Sequence, residues 1–449
     1  MKAKLISVTG VWILILIFGS CEKDELETQD FSESFNNGMI KSYSSEAVLK
    51  WNNAILVIDD LFPPPAEAKI YTMVTLAMHD ALNNIVPKYE TYALNNSSVN
   101  AKDLSKKNIS HVADAAVAQA AHDVLIALYP SSTESANDLL SSSLAAITND
   151  EYKQKGIEIG QNAASAILTK RQNDIPLGFS TYNEGSVPGT HQSNYMPWLM
   201  ENAPIWPANA VYASNLAQLT PFGIKTSNQF RARPPYAIDS PEYTADYEET
   251  NRLGCTGCTE RTAEQTQLGT FWIENLSSSM NRIGRLLAVN KNLNGWETAR
   301  LLAITQMAQI DAIISSFEGK YHYKYWRPIT AIRAGDSDGN DNTSSDLAWT
   351  TDFVTPPTPE YPSTHAETGG AAAEVFKLFF GTDNISFSMT SPYYLPGVEK
   401  DISSFSQVAN EAALSRIYIG YHFRNAVEQG LLEGRKLGKY VYNNNLREL

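Results

Sequence analysis

The residues with the clearest chemical potential lie in three short segments of the last third of the chain. The first, Lys320-Tyr-His-Tyr-Lys-Tyr-Trp-Arg327-Pro328, sets two cations seven positions apart. On one α-helix that spacing leaves Lys320 and Arg327 about 20° from each other. Pro328 disfavours helical geometry at Arg327, so the spacing predicts the last two turns of a helix ending there. Tyr321, Tyr323, Tyr325 and Trp326 surround the cations, which favours an inward face. Two inward cations form an anion clamp. The second segment is Pro362-Ser363-Thr364-His365, followed by an alanine-rich run over 367–380. Thr364 and Glu367 fit a capping box with Thr364 as N-cap. Free N–H groups and the helix dipole at such a start favour an oxyanion. Ser363 can add a hydroxyl donor, and His365 is placed for proton transfer. The third is Ser415-Arg416-Ile-Tyr-Ile-Gly420-Tyr-His422. On an ideal helix Arg416 and His422 point roughly 120° apart. Either Arg416 reaches round, or the helix restarts near Gly420.

Other chemistries have less support. The sequence has no HExxH, no GxSxG and no P-loop. Its seven histidines (79, 111, 122, 191, 322, 365 and 422) show no metal-ligand spacing. His79-Asp80 reads as a buried, hydrogen-bonded pair, because neighbours on a helix face different ways. Asp336, Asp338, Asn340 and Asn342 resemble a calcium loop but lack the closing bidentate glutamate. With a net charge of −14, the chain is a poor nucleic-acid binder over any broad surface.

The three segments need elements to bring them together. At 449 residues the chain exceeds what one simple core usually serves. Apolar residues recur at three- and four-residue spacing over 66–85, 111–128, 157–168, 261–276, 281–289, 296–317, 366–380 and 407–442. The fold class is therefore all-α, with helical bundles from the two halves. The expected division is an N-terminal bundle at 46–170, a long irregular connection at 171–260, and a C-terminal bundle at 261–442 carrying the oxyanion site. The connection is rich in Pro, Gly, Asn, Ser and Tyr.

The amino terminus predicts export. Lys2 and Lys4 precede the apolar run VWILILIF, which is too short to span a bilayer. Gly19, Ser20 and Cys21 follow, so residues 1–20 read as a lipoprotein signal peptide with Cys21 the lipidated mature terminus. Residues 21–45 read as a flexible tether. The expected location is the bacterial outer membrane, on its periplasmic or surface face, with the lipid as the membrane contact. The two other cysteines, Cys255 and Cys258, lie in LGCTGCTE without a second metal-binding pair, and read as a disulfide pinning a loop.

Taken together, the three segments resemble the vanadium-dependent haloperoxidases and the related type 2 phosphatidic acid phosphatases. That superfamily's pattern is Lys-x6-Arg-Pro, then Pro-Ser-Gly-His, then Ser-Arg-x5-His, and the order and gaps here fit. DAIISSFEGKYHYKYWRPITAIR, TPPTPEYPSTHAETGGAAAEVF and SRIYIGYHFRN look like the bacterial haloperoxidase-like lipoprotein branch. YTMVTLAMHDALN and the helix around His122 look like its amino-terminal bundle, so the likeness spans about 50–440.

The resemblance implies helical bundles of the vanadium haloperoxidase type, and vanadate as cofactor with phosphate able to occupy the same site. By it, His422 bonds vanadium, or attacks phosphorus in a phosphatase. Lys320, Arg327 and Arg416 hold the oxyanion, and Ser363 and the Thr364 N–H add hydrogen bonds. Lys320 also polarises peroxide, and His365 is the acid–base residue. The implied activity is oxidation of halide by hydrogen peroxide to hypohalous acid. Two other readings stay open: a phosphatase cleaving a small phosphoester through a phosphohistidine, and a non-catalytic oxyanion-binding surface lipoprotein. Three positions depart from the pattern. Thr364 replaces its glycine, Ala426 stands where an aspartate usually orients the histidine, and Thr358 stands where haloperoxidases often carry a ring that influences halide choice.

Overall fold

The computed structural model describes residues 36–59, 62–95, 104–183, 185–193, 207 and 209–449. The signal segment and Cys21 lie outside them. At the centre runs the helix Gly295–Tyr323, buried on nearly all sides, with apolar and small residues all round and Arg300, Gln306, Gln309 and Asp311 buried among them. A capping box starts it: the Asn294 side chain accepts from Glu297 N–H, and the Glu297 carboxylate from Asn294 N–H. Pro64–Ile85 packs on it from the N-terminal half, and Leu276–Asn290, Thr364–Phe380 and Arg424–Asn444 from the C-terminal half. Ile109–Leu128 and Asp150–Lys170 complete the N-terminal bundle. The all-α expectation holds, yet the two bundles share one core. Met73, Val74 and Val117 belong to the same apolar cluster as Leu302, Met307, Val375 and Leu437.

Several sequence boundaries shift. The tether ends before residue 45, since Met39, Ile40 and Tyr43 are buried and the Tyr43 hydroxyl donates to Asp114 at 2.8 Å. The Asn, Gly, Lys and Ser residues around them masked these three anchors. The helix expected over 261–276 stops at Phe271 and restarts as Leu276–Asn290. The helix expected over 407–442 is two, Phe405–Tyr418 and Arg424–Asn444. The connecting segment contains the helix Pro241–Leu253 and a short pair of strands, Phe179–Thr181 with Ala210–Tyr212. A second antiparallel pair, Asn384–Ser391 with Leu395–Ser404, sits within the C-terminal bundle. Its first strand, NISFSMTS, alternates between exposed and covered residues with the period of two that a sheet needs.

Two buried carboxylates tie irregular chain to helix. Asp311 on the central helix accepts the N–H groups of Phe222, Gly223 and Ile224 at 2.6, 2.6 and 2.8 Å. Asp80 accepts those of Tyr92, Ala93 and Leu94 at 2.8, 2.7 and 3.0 Å. His79 bonds the Glu90 carbonyl through Nε2 at 3.0 Å, so the His79-Asp80 pair is structural.

Candidate active site

The central helix delivers Lys320 in its last turn and ends at Tyr323. Lys324 adopts left-handed backbone geometry (φ 50°) and its N–H returns to the Lys320 carbonyl at 2.8 Å. Arg327 therefore lies beyond the helix, as the residue capping the short helix Pro328–Arg333. The expectation that both cations share two continuous turns is wrong. The sharp turn, with proline fixing its exit, brings Arg327 back towards Lys320 instead.

Both cations grip one stretch of chain. The Lys320 ammonium donates to the carbonyls of Pro359, Glu360 and Pro362 at 3.0, 2.8 and 2.7 Å. Arg327 donates from Nε to the Thr358 carbonyl and from Nη2 to Thr358 Oγ1, each at 2.9 Å. Its Nη1 donates to the Tyr421 carbonyl at 2.9 Å and lies 3.1 Å from His422 Nε2. Lys320 thus serves as a buried positive charge whose three protons are already engaged, and Thr358 serves as an anchor for Arg327.

The held segment presents Glu360, which the motifs did not single out. Its Oε1 lies 2.9 Å from His422 Nδ1 and accepts the Phe423 N–H at 3.0 Å. Nδ1 therefore carries the proton, and the Nε2 lone pair faces the cations. Glu360 supplies the orienting group that Ala426 cannot. A carboxylate isolated between prolines in PTPEYPSTH was the available sign, but its partner is 62 positions away and no periodicity links them.

Ser363, not Thr364, caps the helix Thr364–Phe380, its hydroxyl accepting from Ala366 N–H at 3.4 Å. Thr364 is the first helical residue, where an N–H has no intrahelical acceptor. Its hydroxyl accepts from Ser316 on the central helix at 2.9 Å. The expected capping box fails because Glu367 is buried in the helix contact and does not turn back to the cap. This helix start is held from behind by Arg424–Asn444, where a Cβ on Gly430 would lie 2.6 Å from the Ser363 carbonyl.

Gly420 resolves the angle between Arg416 and His422. The helix ends at Tyr418, Gly420 turns left-handed (φ 72°), and the N–H groups of Tyr421 and His422 fold back to the Arg416 carbonyl at 3.0 and 3.3 Å. A Cβ there would meet the Thr351 methyl at 2.7 Å and Trp349 at 2.8 Å, so glycine is required. Arg416 donates from Nε to Ser415 Oγ at 3.0 Å and from Nη2 to the Trp272 carbonyl, which also holds the His365 ring.

Lys320, Arg327, Arg416, Glu360 and His422 are all at most 5% exposed. Burial, then Arg327, holds Lys320 well below the usual lysine range. Burial brings Arg327 and Arg416 each down to about 10. His422 is held well below the ordinary histidine value by burial and then by Arg327, Lys320, Arg416 and His365. Burial and Arg416 likewise keep His365 neutral, and its Nε2 is buried without a partner among the described residues. Burial pushes Glu360 up to about 8. Burial is thus the main cause of these depressions, and an anion among these groups would oppose them by favouring the charged cations. One imidazole lone pair, three cations, a capping hydroxyl and an unpartnered imidazole nitrogen suit a tetrahedral oxyanion such as vanadate or phosphate. The donor set fits such a group bonded through a single nitrogen.

The remaining candidates stay outside the site. Cys255 and Cys258 form a disulfide, with Cα atoms 5.2 Å apart. Asp338 is engaged with Asn340 N–H at 2.8 Å and with the Thr343 hydroxyl, closing the 336–342 loop on itself. Among the described residues no cluster of three or more His, Cys, Asp or Glu could hold a metal ion.

Residues 30–204 match the family model of the vanadium chloroperoxidase N-terminal domain, and residues 300–448 that of its second helical-bundle domain. The vanadium chloroperoxidase of Curvularia inaequalis is 26% identical over 486 residues, covering 86% of this chain and 79% of that protein. The structure of a bacterial vanadium-dependent iodoperoxidase superposes with a TM-score of 0.71 at 25% identity, over 91% of this chain and 98% of the other. A holo bacterial vanadium-dependent chloroperoxidase shares the fold at 17% identity, with a TM-score of 0.67 over 85% and 91%. With Lys320, Arg327, Glu360 and His422 joined through one buried stretch of chain, these matches establish that the chain belongs to the vanadium haloperoxidase superfamily.

Proposed function

We propose that the protein is a vanadate-dependent haloperoxidase that oxidises halide with hydrogen peroxide to hypohalous acid. The observation that carries this reading is the His422 ring, locked by Glu360 with Nε2 3.1 Å from Arg327 Nη1 and with Lys320 and Arg416 near enough for their charges to act on it. His422 Nε2 would hold the vanadate. Arg327 and Arg416 would bond its oxygens through N–H groups not committed to protein, each charge-assisted bond contributing on the order of 1.5–3 kcal/mol. Lys320 would contribute charge rather than a new hydrogen bond, and Ser363 Oγ and the Thr364 N–H would complete the cradle. His365, neutral and with Nε2 unpartnered, would take a proton from the incoming peroxide at that atom and return one to the departing oxygen. The vanadate itself supplies a Lewis acid that activates peroxide without changing oxidation state.

The test loads purified protein with orthovanadate and measures peroxide-dependent oxidation of iodide and bromide. The vanadate-free protein is assayed in parallel for p-nitrophenyl phosphate hydrolysis. Failure of the fully loaded protein to oxidise either halide would defeat the proposal. Hydrolysis in the second assay would support the phosphohistidine route, and tight phosphate binding with neither activity would support a non-catalytic binder.

The proposed setting is outside the cytoplasm, with the protein anchored to the outer membrane by lipid at Cys21. The disulfide supports an oxidising compartment. Metabolic labelling with a fatty acid, lost in Cys21→Ala, tests the anchor.

A further inference from the structure

His191 belongs to none of the three motifs. It lies in the connecting segment with 0% of its surface exposed, and among the described residues neither ring nitrogen has a hydrogen-bond partner. Its backbone position is tightly set. His191 N–H donates to the Lys324 carbonyl at 2.7 Å, Trp326 N–H donates to the Gly189 carbonyl at 3.0 Å, and Thr190 pairs with Tyr325 in an antiparallel bridge. Residues 189–191 therefore line the turn that carries the chain from Lys320 to Arg327. Tyr182 meets the imidazole edge-to-face, with ring centroids 5.2 Å apart, and holds its orientation. Burial, then the charges of Arg327 and Lys320, bring the ring down to about 3, so it is neutral and carries one N–H and one lone pair.

A fully buried imidazole with both nitrogens unpaired needs an explanation. The ring sits on the turn between Lys320 and Arg327, near enough for both charges to act on it. Phosphate and vanadate near neutral pH carry protonated as well as ionised oxygens. Lys320, Arg327 and Arg416 can only donate, and so cannot receive a hydrogen bond from a protonated oxygen. His422 is committed through Nε2 to the anion's central atom, and His365, also neutral, stands beside Arg416. We propose that His191 is a further oxyanion-binding residue, accepting a hydrogen bond from a protonated oxygen of the anion held between Lys320, Arg327 and His422. This rests on the oxyanion reading of the site and not on halide oxidation.

The experiment is calorimetric titration of the full chain with inorganic phosphate, comparing wild type with His191→Phe and His191→Gln, alongside their melting temperatures. Phe keeps the ring shape without the nitrogens, and should melt at or above the wild-type temperature while binding phosphate about tenfold more weakly. Gln restores an acceptor and a donor, and should bind within about threefold of wild type. Unchanged phosphate affinity in His191→Phe overturns the proposal. So does a Phe variant that cannot fold, or a Gln variant no better than Phe, because each points to a structural role. Wild-type protein that binds phosphate but oxidises no halide would defeat the proposed activity alone. Wild type that binds neither phosphate nor orthovanadate would defeat both.

Discussion

Oε1 of Glu360 lies 2.9 Å from Nδ1 of His422 and also receives the N–H of Phe423 at 3.0 Å. The carboxylate thus fixes both the tautomer of the histidine and the backbone that carries it. Removing such a partner typically costs 10–100-fold in metal affinity or activity. Glu360→Ala should lower orthovanadate affinity and iodide turnover by about that much, and Glu360→Gln, which keeps an acceptor oxygen, by less. Equal turnover in wild type and Glu360→Ala would show that the histidine is oriented by something else.

His422→Ala removes the imidazole nitrogen that lies 3.1 Å from Arg327 Nη1. Turnover should fall to background while the far-UV circular dichroism stays helical, since the ring packs in the site and not in the shared core. Retained activity in that variant would refute the roles assigned here.

The glycine at 430 lets the C-terminal helix press on the start of the helix Thr364–Phe380. A methyl there would lie 2.6 Å from the Ser363 carbonyl and 3.0 Å from the Ala366 Cβ. Gly430→Ala should cost about 1–3 kcal/mol in urea denaturation. It should also weaken phosphate binding, because Ser363 is displaced. A variant as stable as wild type would mean that the helices separate freely.

His79 carries a pH signature far from the site. Burial lowers it to about 4, so the folded protein keeps it neutral where the unfolded chain, near 6.5, takes up a proton. Its contribution is full above about pH 6.5 and is lost as pH falls towards 4. The urea midpoint should drop more between pH 7 and pH 5 in wild type than in His79→Gln. Neighbouring Asp80, raised by burial to about 6, acts in the opposite sense but is common to both proteins. Parallel drops would remove His79 as the cause.

Much of this site was legible because its cations, hydroxyl and histidines recur at fixed local spacings, and because helical periodicity survives in the elements that carry them. The local geometry was less accessible. Lys320 and Arg327 meet through a left-handed turn at Lys324, which a helical wheel does not represent. Ser363 took the cap that Thr364 was expected to fill, because Thr364 is engaged with Ser316 on another helix. Glu360 and His191 escaped for a common reason. Their significance comes from pairing or burial across long stretches of chain, and single residues in irregular segments leave no periodic trace.

Glu360 holds Lys320 with its main-chain oxygen and His422 with its side chain. The charge at one wall and the nucleophilic nitrogen at the other are therefore parts of one mechanical piece. An arriving anion finds a mould already set, and little ordering remains to be done on association. Loading should then proceed without a detectable conformational phase, at a speed governed by access to the pocket.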